Sequence, residues 1–229
     1  MAEKLNLPEP LQALLGGVES SALTNFYGAP GTGKTNICLM LAVECIKNGG
    51  KVIYIDTEGG FSADRLNQLV ENRSIDEIAK KINLIEPKDF KEQGDIIRGL
   101  HKKEADMIIL DSAASLYRLE YADPEKEALV ANRELSRQMS ILSGIAREKK
   151  IPVIITSHTY KNWETENNEI VGGDSVKYWS KVLVFLERTG KMSERTATIT
   201  KHRWMPEGKS VKFVITQDGI KSAGGFKLF

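Results

Sequence analysis

Apolar residues along this chain fall into short unbroken runs separated by longer helical repeats. The runs at 51–56, 107–111 and 151–156 place hydrophobic residues at nearly successive positions, which marks buried strands, and 23–27 reads as a further strand. Between them, 37–46 reads as an apolar helix, and 64–73 and 90–103 as further helices. Leu135, Met139, Leu142 and Ala146 repeat at helical spacing in a long one. Pro152 sits near the start of its strand, where a missing N–H is tolerated. After residue 180 the pattern changes. Segments 182–186, 195–201 and 211–216 read as strands with short connections, and Thr189-Gly190 and Asp218-Gly219 supply turns. Strand–helix alternation followed by hairpin-like strands predicts an α/β fold: a mostly parallel sheet flanked by helices, with C-terminal antiparallel strands. Leu11, Leu14, Leu15 and the Gly16-Gly17 stop make residues 1–22 a short lid, and residues 1–229 read as a single domain.

Composition narrows the picture only in part. The chain has 229 residues, 41% hydrophobic and 28% charged, enough to fill one core and remain soluble. Its 32 basic and 31 acidic residues leave a net charge of +1, which excludes a binder relying on bulk positive charge. A local basic strip remains possible. Cys38 and Cys45 share one helical face two turns apart, too far to bridge, and read as small buried residues of a reducing compartment. No secretory signal or membrane-length apolar run is visible, so the expected location is cytoplasmic and no membrane partner is expected.

The segment Gly28-Ala29-Pro30-Gly31-Thr32-Gly33-Lys34-Thr35 matches the phosphate-loop pattern G-x-x-x-x-G-K-[ST] in full. Glycines let the backbone turn on itself so that several N–H groups point at one anion. The helix that follows adds its unpaired N-terminal donors. Lys34 supplies a charge for β/γ-phosphates, and Thr35 a hydroxyl for Mg²⁺. Asp111, closing an apolar strand, is placed to hold Mg²⁺ through water. Ser112 follows it, so a water-directing acid must come from elsewhere. Glu58, just past the tip of the preceding strand, would share the same sheet edge. Two readings of Glu58 stand at this point: an acid orienting a water at the γ-phosphate, or a solvated loop acid.

The phosphate loop, Tyr54-Ile55-Asp56-Thr57-Glu58-Gly59-Gly60-Phe61 and Leu110-Asp111-Ser112-Ala113 together resemble the RecA/RadA recombinase ATPase core. The likeness spans about residues 11–220 and is nearest to short archaeal paralogues of the RadA recombinase. No separate N-terminal DNA-binding domain is expected. The resemblance implies a RecA-like phosphate-loop NTPase fold with ATP and Mg²⁺ as cofactors. It implies an accessory protein of homologous recombination and DNA repair, with weak ATPase activity and DNA binding, single-stranded DNA preferred. Its implied partners are further copies of itself or a RadA-type recombinase, and other repair proteins.

Matched position by position, Glu58 corresponds to the family's catalytic glutamate and Arg65 to an arginine that stacks on adenine. His158 stands where the family usually has a glutamine sensor of the γ-phosphate; unlike glutamine, it titrates. Lys201 and Arg203 correspond to basic residues that reach a neighbouring subunit's ATP, and Met205-Pro206-Glu207 to a cap over that nucleotide. Strand alternation would aim Lys201 and Arg203 to one side and His202 to the other. A solvated basic turn is the competing reading. Two loops match the family's DNA loops. The first carries Tyr117 and Arg118; the second carries Tyr160, Lys161 and Trp163, with Glu164, Glu166 and Glu169 opposing phosphate binding. Ordinary surface loops are the alternative. An ATP-switched recruitment module, or a RecA-like signalling ATPase of the clock-protein type, also fits these residues.

Overall fold

Strands whose residues are apolar at every position need cover on both faces, and this chain builds one sheet between two helical layers. In the computed structural model the described residues are 4–70, 74–120, 127–161, 166 and 168–223. The central strands are β3 (Leu23–Gly28), β4 (Val52–Asp56), β6 (Met107–Asp111), β7 (Val153–Ser157) and β10 (Val182–Arg188). Around them run the short lid strands β1 (Lys4–Leu5) and β2 (Val18–Glu19), the edge strand β5 (Ile82–Ile85), and the pair β8 (Thr159–Lys161) and β9 (Asn168–Ile170). β11 (Glu194–Lys201), β12 (Ser210–Thr216) and β13 (Gly219–Ser222) complete the strands, and the sheet order is β13-β12-β11-β10-β3-β7-β6-β4-β5. From β10 to β5 every pairing is parallel; β10 through β13 pair antiparallel. The expected mixed sheet is therefore present, and the carboxyl tips of β3, β4, β6 and β7 share one edge.

The helices are α1 (Glu9–Leu15), α2 (Lys34–Lys47), α3 (Ala63–Leu69), α4 (Ile75–Ala79), α5 (Phe90–Gly99), α6 (Glu127–Lys149) and α7 (Gly173–Trp179). Successive residues of one strand serve opposite layers. Val52 and Tyr54 of β4 join the core beneath α1–α3, while Ile53 and Ile55 join the core beneath α5–α7. On α6, Leu135, Met139, Leu142 and Ala146 are fully buried, as their spacing predicts. Each such leucine contributes about 1.5–3 kcal/mol by leaving water. Leu11, Leu14 and Leu15 of α1 are buried against the first core. Gly16 ends α1 with φ of 65°, its N–H donating to the Gln12 carbonyl.

Local signals set the other helix starts. Ser62 Oγ accepts from Arg65 N–H at 3.1 Å, and Asp89 Oδ1 from Glu92 N–H at 2.7 Å. The helix expected over 64–73 is formed by Ala63–Leu69 among the described residues. β5, α4 and α7 were not foreseen. Cys38 and Cys45 are both buried free thiols, and burial pushes the Cys45 thiol up to about 12. Among the described residues, no helix is long and apolar enough to cross a membrane.

Candidate functional site

The tip of β3 turns into α2 through the glycine-rich loop. Two of its glycines are enforced by their neighbours. A methyl group on Gly28 would lie 2.1 Å from the Leu186 carbonyl oxygen of the adjacent strand. Gly33, the N-cap of α2, has φ of 100°, and a methyl there would meet Ile215 at 2.8 Å. The Thr32 hydroxyl donates to the Ala29 carbonyl at 2.8 Å, closing the loop on itself. Lys34 is only 6% exposed. Its Nζ donates to the carbonyls of Gly28 at 3.0 Å and Ala29 at 3.1 Å and stands 3.4 Å from His158 Nδ1. Burial lowers its pKa, with Glu58 and Asp111 opposing. Among the described residues it makes no ion pair. A buried ammonium supported by carbonyls and a histidine suits an anion.

At the tip of β6, Asp111 is 3% exposed and heavily hydrogen-bonded. Oδ1 accepts from Thr156 Oγ1 at 2.5 Å and Oδ2 from the Tyr54 hydroxyl at 3.0 Å, and Thr35 is a third donor. Burial nevertheless raises its pKa. Thr35 and Asp111 are therefore brought together as expected. Among the described residues, no three His, Cys, Asp or Glu side chains gather as a metal cage. A hydroxyl beside one carboxylate fits Mg²⁺, which keeps most of its waters.

The turn after β4 is shaped by Asp56, which accepts from the backbone N–H of Glu58 at 3.0 Å and of Phe61 at 2.7 Å. Thr57 ties this turn to the next strand tip. Its N–H reaches the Asp111 carbonyl at 2.8 Å, and its hydroxyl bridges the carbonyl and N–H of Ser112. This fixes the backbone of Glu58 at the shared strand edge. Its Oε1 accepts from Ser115 Oγ and lies 2.7 Å from His158 Nε2. Burial alone would raise the Glu58 carboxyl, but His158 and Ser115 outweigh it and hold it near 2. Glu58 is thus a solvent-accessible acid whose carboxylate is tied to two neighbours, its side chain 32% exposed. Glu58, His158 and Lys34 form one continuous chain of contacts, from the β4 tip through the β7 tip to the phosphate loop.

Arg65 on α3 is fixed by its edges. Nε donates to Asn36 at 2.7 Å, Nη1 to Gln68 at 2.7 Å and to the Gln217 carbonyl at 2.6 Å, and Nη2 to the Thr216 carbonyl at 2.9 Å. These in-plane bonds leave the flat face of the guanidinium presentable.

The Lys201–Arg203 triplet lies at the opposite end of the sheet from the phosphate loop, because β11 runs antiparallel to β10. Lys201 Nζ donates to the Lys177 carbonyl at 2.7 Å. Arg203 lies beyond the end of β11, so strand alternation does not govern it; its guanidinium sits 5.9 Å from the exposed Trp204 ring. The His202 side chain is buried at 1% exposed, its Nδ1 accepting from the N–H groups of Trp204 and Met205 at 3.3 Å each. Pro206 is exposed in the loop that follows.

The two loops named for nucleic acid converge on one cleft of about 800 Å³, lined by Tyr117, Arg118, Tyr160 and Gly172 among others. Tyr160 is half exposed at 50%. Tyr117 is not a free aromatic face: it is 3% exposed, its ring 5.7 Å from Phe90 and its hydroxyl on Asn132 at 2.5 Å. Lys161 is exposed. Trp163 lies outside the described residues.

Three parts of the site escaped the sequence reading. Ser115 has no motif to flag it, Thr156 looks like an ordinary strand residue, and Arg188 and Arg195 belong to a hairpin far from the loop in sequence. Parallel strand tips bearing a phosphate loop, a hydrogen-bonded acid and a buried aspartate define a RecA-like phosphate-loop core. A model of the Rad51 family matches residues 9–223. A DNA repair and recombination protein RadB from Methanococcoides burtonii is 43% identical over 217 residues, 93% of this chain and 95% of that protein. The corresponding RadB of Methanothermobacter thermautotrophicus is 41% identical over 214 residues, 90% of this chain and 89% of that one. A crystal structure of the RadB recombinase superposes with a TM-score of 0.82 at 35% identity, covering 94% of this chain and 97% of that chain. The chain belongs to the Rad51 family and groups there with the archaeal RadB proteins.

Proposed function

We propose that this chain binds ATP·Mg²⁺ and DNA and hydrolyses ATP slowly, as a cytoplasmic accessory protein of homologous recombination and repair. The observation that carries the nucleotide reading is the buried Lys34 ammonium, facing His158 and Glu58 at the phosphate-loop edge. Gly28 to Thr35 would wrap the triphosphate. Thr35, and Asp111 through water, would hold Mg²⁺, which when bound supplies charge to the phosphate oxygens. Arg65 would offer its flat face to adenine. Water aimed by Glu58 would attack the γ-phosphate in line, with His158 sensing that group. A carboxylate already engaged by Ser115 and His158 is a poor proton acceptor, so Glu58 would orient water rather than deprotonate it. Lys201 and Arg203, with Pro206 as part of a cap, lie far from the chain's own phosphate loop. Their role would be at a neighbour's nucleotide, either in a second copy of this chain or in a RadA-type recombinase.

Single-stranded DNA would enter the cleft beside Tyr160, Arg118 and Lys161, with Tyr117 fixing its wall and Trp163 on the same loop. The test is equilibrium binding of Mg·ATP to wild type and Lys34→Ala, followed by single-stranded DNA binding at low salt with and without nucleotide. Binding by the wild type, lost in Lys34→Ala, supports the reading. A wild type that ignores ATP refutes it. ATP binding without any DNA binding moves the function to the signalling class. The hydrogen bonds that already occupy the Glu58 carboxylate also favour a second reading, a recruitment module switched by ATP in which hydrolysis is incidental. Partner loading that survives Glu58→Gln selects it.

A further inference from the structure

Two arginines that no phosphate-loop pattern includes hold the outer side of that loop. Arg188 of β10 and Arg195 of β11 face each other as cross-strand partners. Arg195 donates to the Gly31 carbonyl from both Nε at 3.1 Å and Nη2 at 3.0 Å. Arg188 Nη2 donates to the Pro30 carbonyl at 3.4 Å. Contact is close enough that a methyl group on Gly31 would lie 2.3 Å from Arg188 Nη2. The remaining Arg195 donor, Nη1, goes to the Glu194 carbonyl. Among the described residues neither guanidinium ion-pairs with a carboxylate. Two like charges set side by side without an acid between them repel one another. Nearby negative charge relieves that cost.

Peptide planarity turns these contacts into a statement about the inside of the loop. In a trans peptide the carbonyl and the N–H point in opposite directions. Fixing the Pro30 and Gly31 carbonyls toward the arginines therefore fixes the N–H groups of Gly31 and Thr32 toward the other side, into the concavity. An anion in a loop of this kind is gripped by such N–H groups. We propose that Arg188 and Arg195 are positioning residues for a nucleotide polyphosphate bound in the same chain. They hold the loop's apex donors inward and set two positive charges behind the ligand. The role rests on the nucleotide-binding reading above. It differs from that assigned to Lys201 and Arg203 because it acts within one chain and needs no assembly.

The experiment is equilibrium binding of a fluorescent, slowly hydrolysed Mg·ATP analogue to wild type, Lys34→Ala, Arg188→Ala, Arg195→Ala and Arg195→Lys. It is read at two protein concentrations tenfold apart, with the nucleotide-free melting temperature of each variant alongside. Arg195→Ala should weaken binding by about tenfold, equally at both concentrations. Its melting temperature should stay within about 2 °C of wild type. Arg195→Lys, which keeps the charge and a donor, should recover most of the loss, and Arg188→Ala should show the smaller effect its longer bond implies. Arg195→Ala binding within about twofold of wild type would overturn the proposal, provided Lys34→Ala fails to bind. So would a loss that tracks the melting temperature and is not recovered by lysine. A wild type that does not bind the analogue overturns both this proposal and the reading beneath it.

Discussion

Tyr54→Phe removes one oxygen atom from the centre of the molecule. Tyr54 is fully buried, and its ring packs edge-on at 5.2 Å from Phe61, a contact phenylalanine preserves. What disappears is the 3.0 Å hydrogen bond to Asp111 Oδ2. Hydrogen bonds to ionised groups contribute about 1.5–3 kcal/mol, and a buried acceptor left short of a donor pays desolvation in full. Asp111 keeps Thr156 and Thr35, which places the expected cost near 2 kcal/mol. For a domain of this size that lowers the melting temperature by about 4–8 °C. The effect carries a pH signature. Burial raises the Asp111 pKa above its ordinary 3.8, so the carboxylate form strains the folded state at neutral pH. Losing Tyr54 strains that form further and raises the folded pKa again. The penalty is therefore largest at neutral pH and shrinks as pH falls through the folded value. Urea unfolding of both proteins at pH 7.5 and pH 4.5 measures this, with the slope m expected to be unchanged. A penalty below about 0.5 kcal/mol at neutral pH would contradict the assigned hydrogen bond. A penalty that grew on acidification would refute the electrostatic reasoning.

Other outcomes follow from the same contacts. In wild type the Glu58 carboxyl should titrate near 2 by carbon NMR, and His158→Ala or Ser115→Ala should move it up toward 4.5. Because that folded pKa is depressed, the stability it contributes is complete above the unfolded value of 4.5 and is lost as pH falls through 2. Gly28→Ala should cost several kcal/mol, about 3 or more, because the new methyl meets a strand carbonyl that cannot retreat. Gly59→Ala is the control: nothing lies within 4 Å of its added carbon, and only its φ of 67° opposes it, for about 1 kcal/mol. Equal destabilisation of the two variants would remove the steric argument at Gly28.

Much of this architecture can be read directly from residue order, for a physical reason. Strands covered on both faces are continuous apolar runs, so β4, β6, β7 and β10 stand out, while β3, with buried Thr24 and Asn25, is marked by the phosphate loop that follows it; in a parallel sheet their tips converge. Gly28 to Thr35, Glu58 and Asp111 could be placed at one edge on that basis alone. β5 could not: its Asn83 and Leu84 are exposed and it covers a single sheet edge, so it carries neither a clean alternation nor an apolar run. Tyr117 looked like a loop aromatic available for stacking, but a pocket beside Phe90 buries it, and no local pattern encodes that. Alternation sets His202 on the side opposite Lys201 and Arg203, but the strand ends before it, and its buried ring caps the following turn. Arg188 and Arg195 reach the phosphate loop only through hairpin register, Arg195 standing 164 positions after Gly31. Such contacts follow from tertiary assembly and leave no short-range signature.

The most direct measurement is single-turnover cleavage of prebound Mg·ATP by Glu58→Gln. ATP affinity is expected within about threefold of wild type, with cleavage slowed by about a hundredfold, the cost of a misplaced attacking water. Cleavage at the wild-type rate from a fully bound state would remove Glu58 from the reaction. With it would go the claim that the β4 tip aims the water at a triphosphate held by the neighbouring loop.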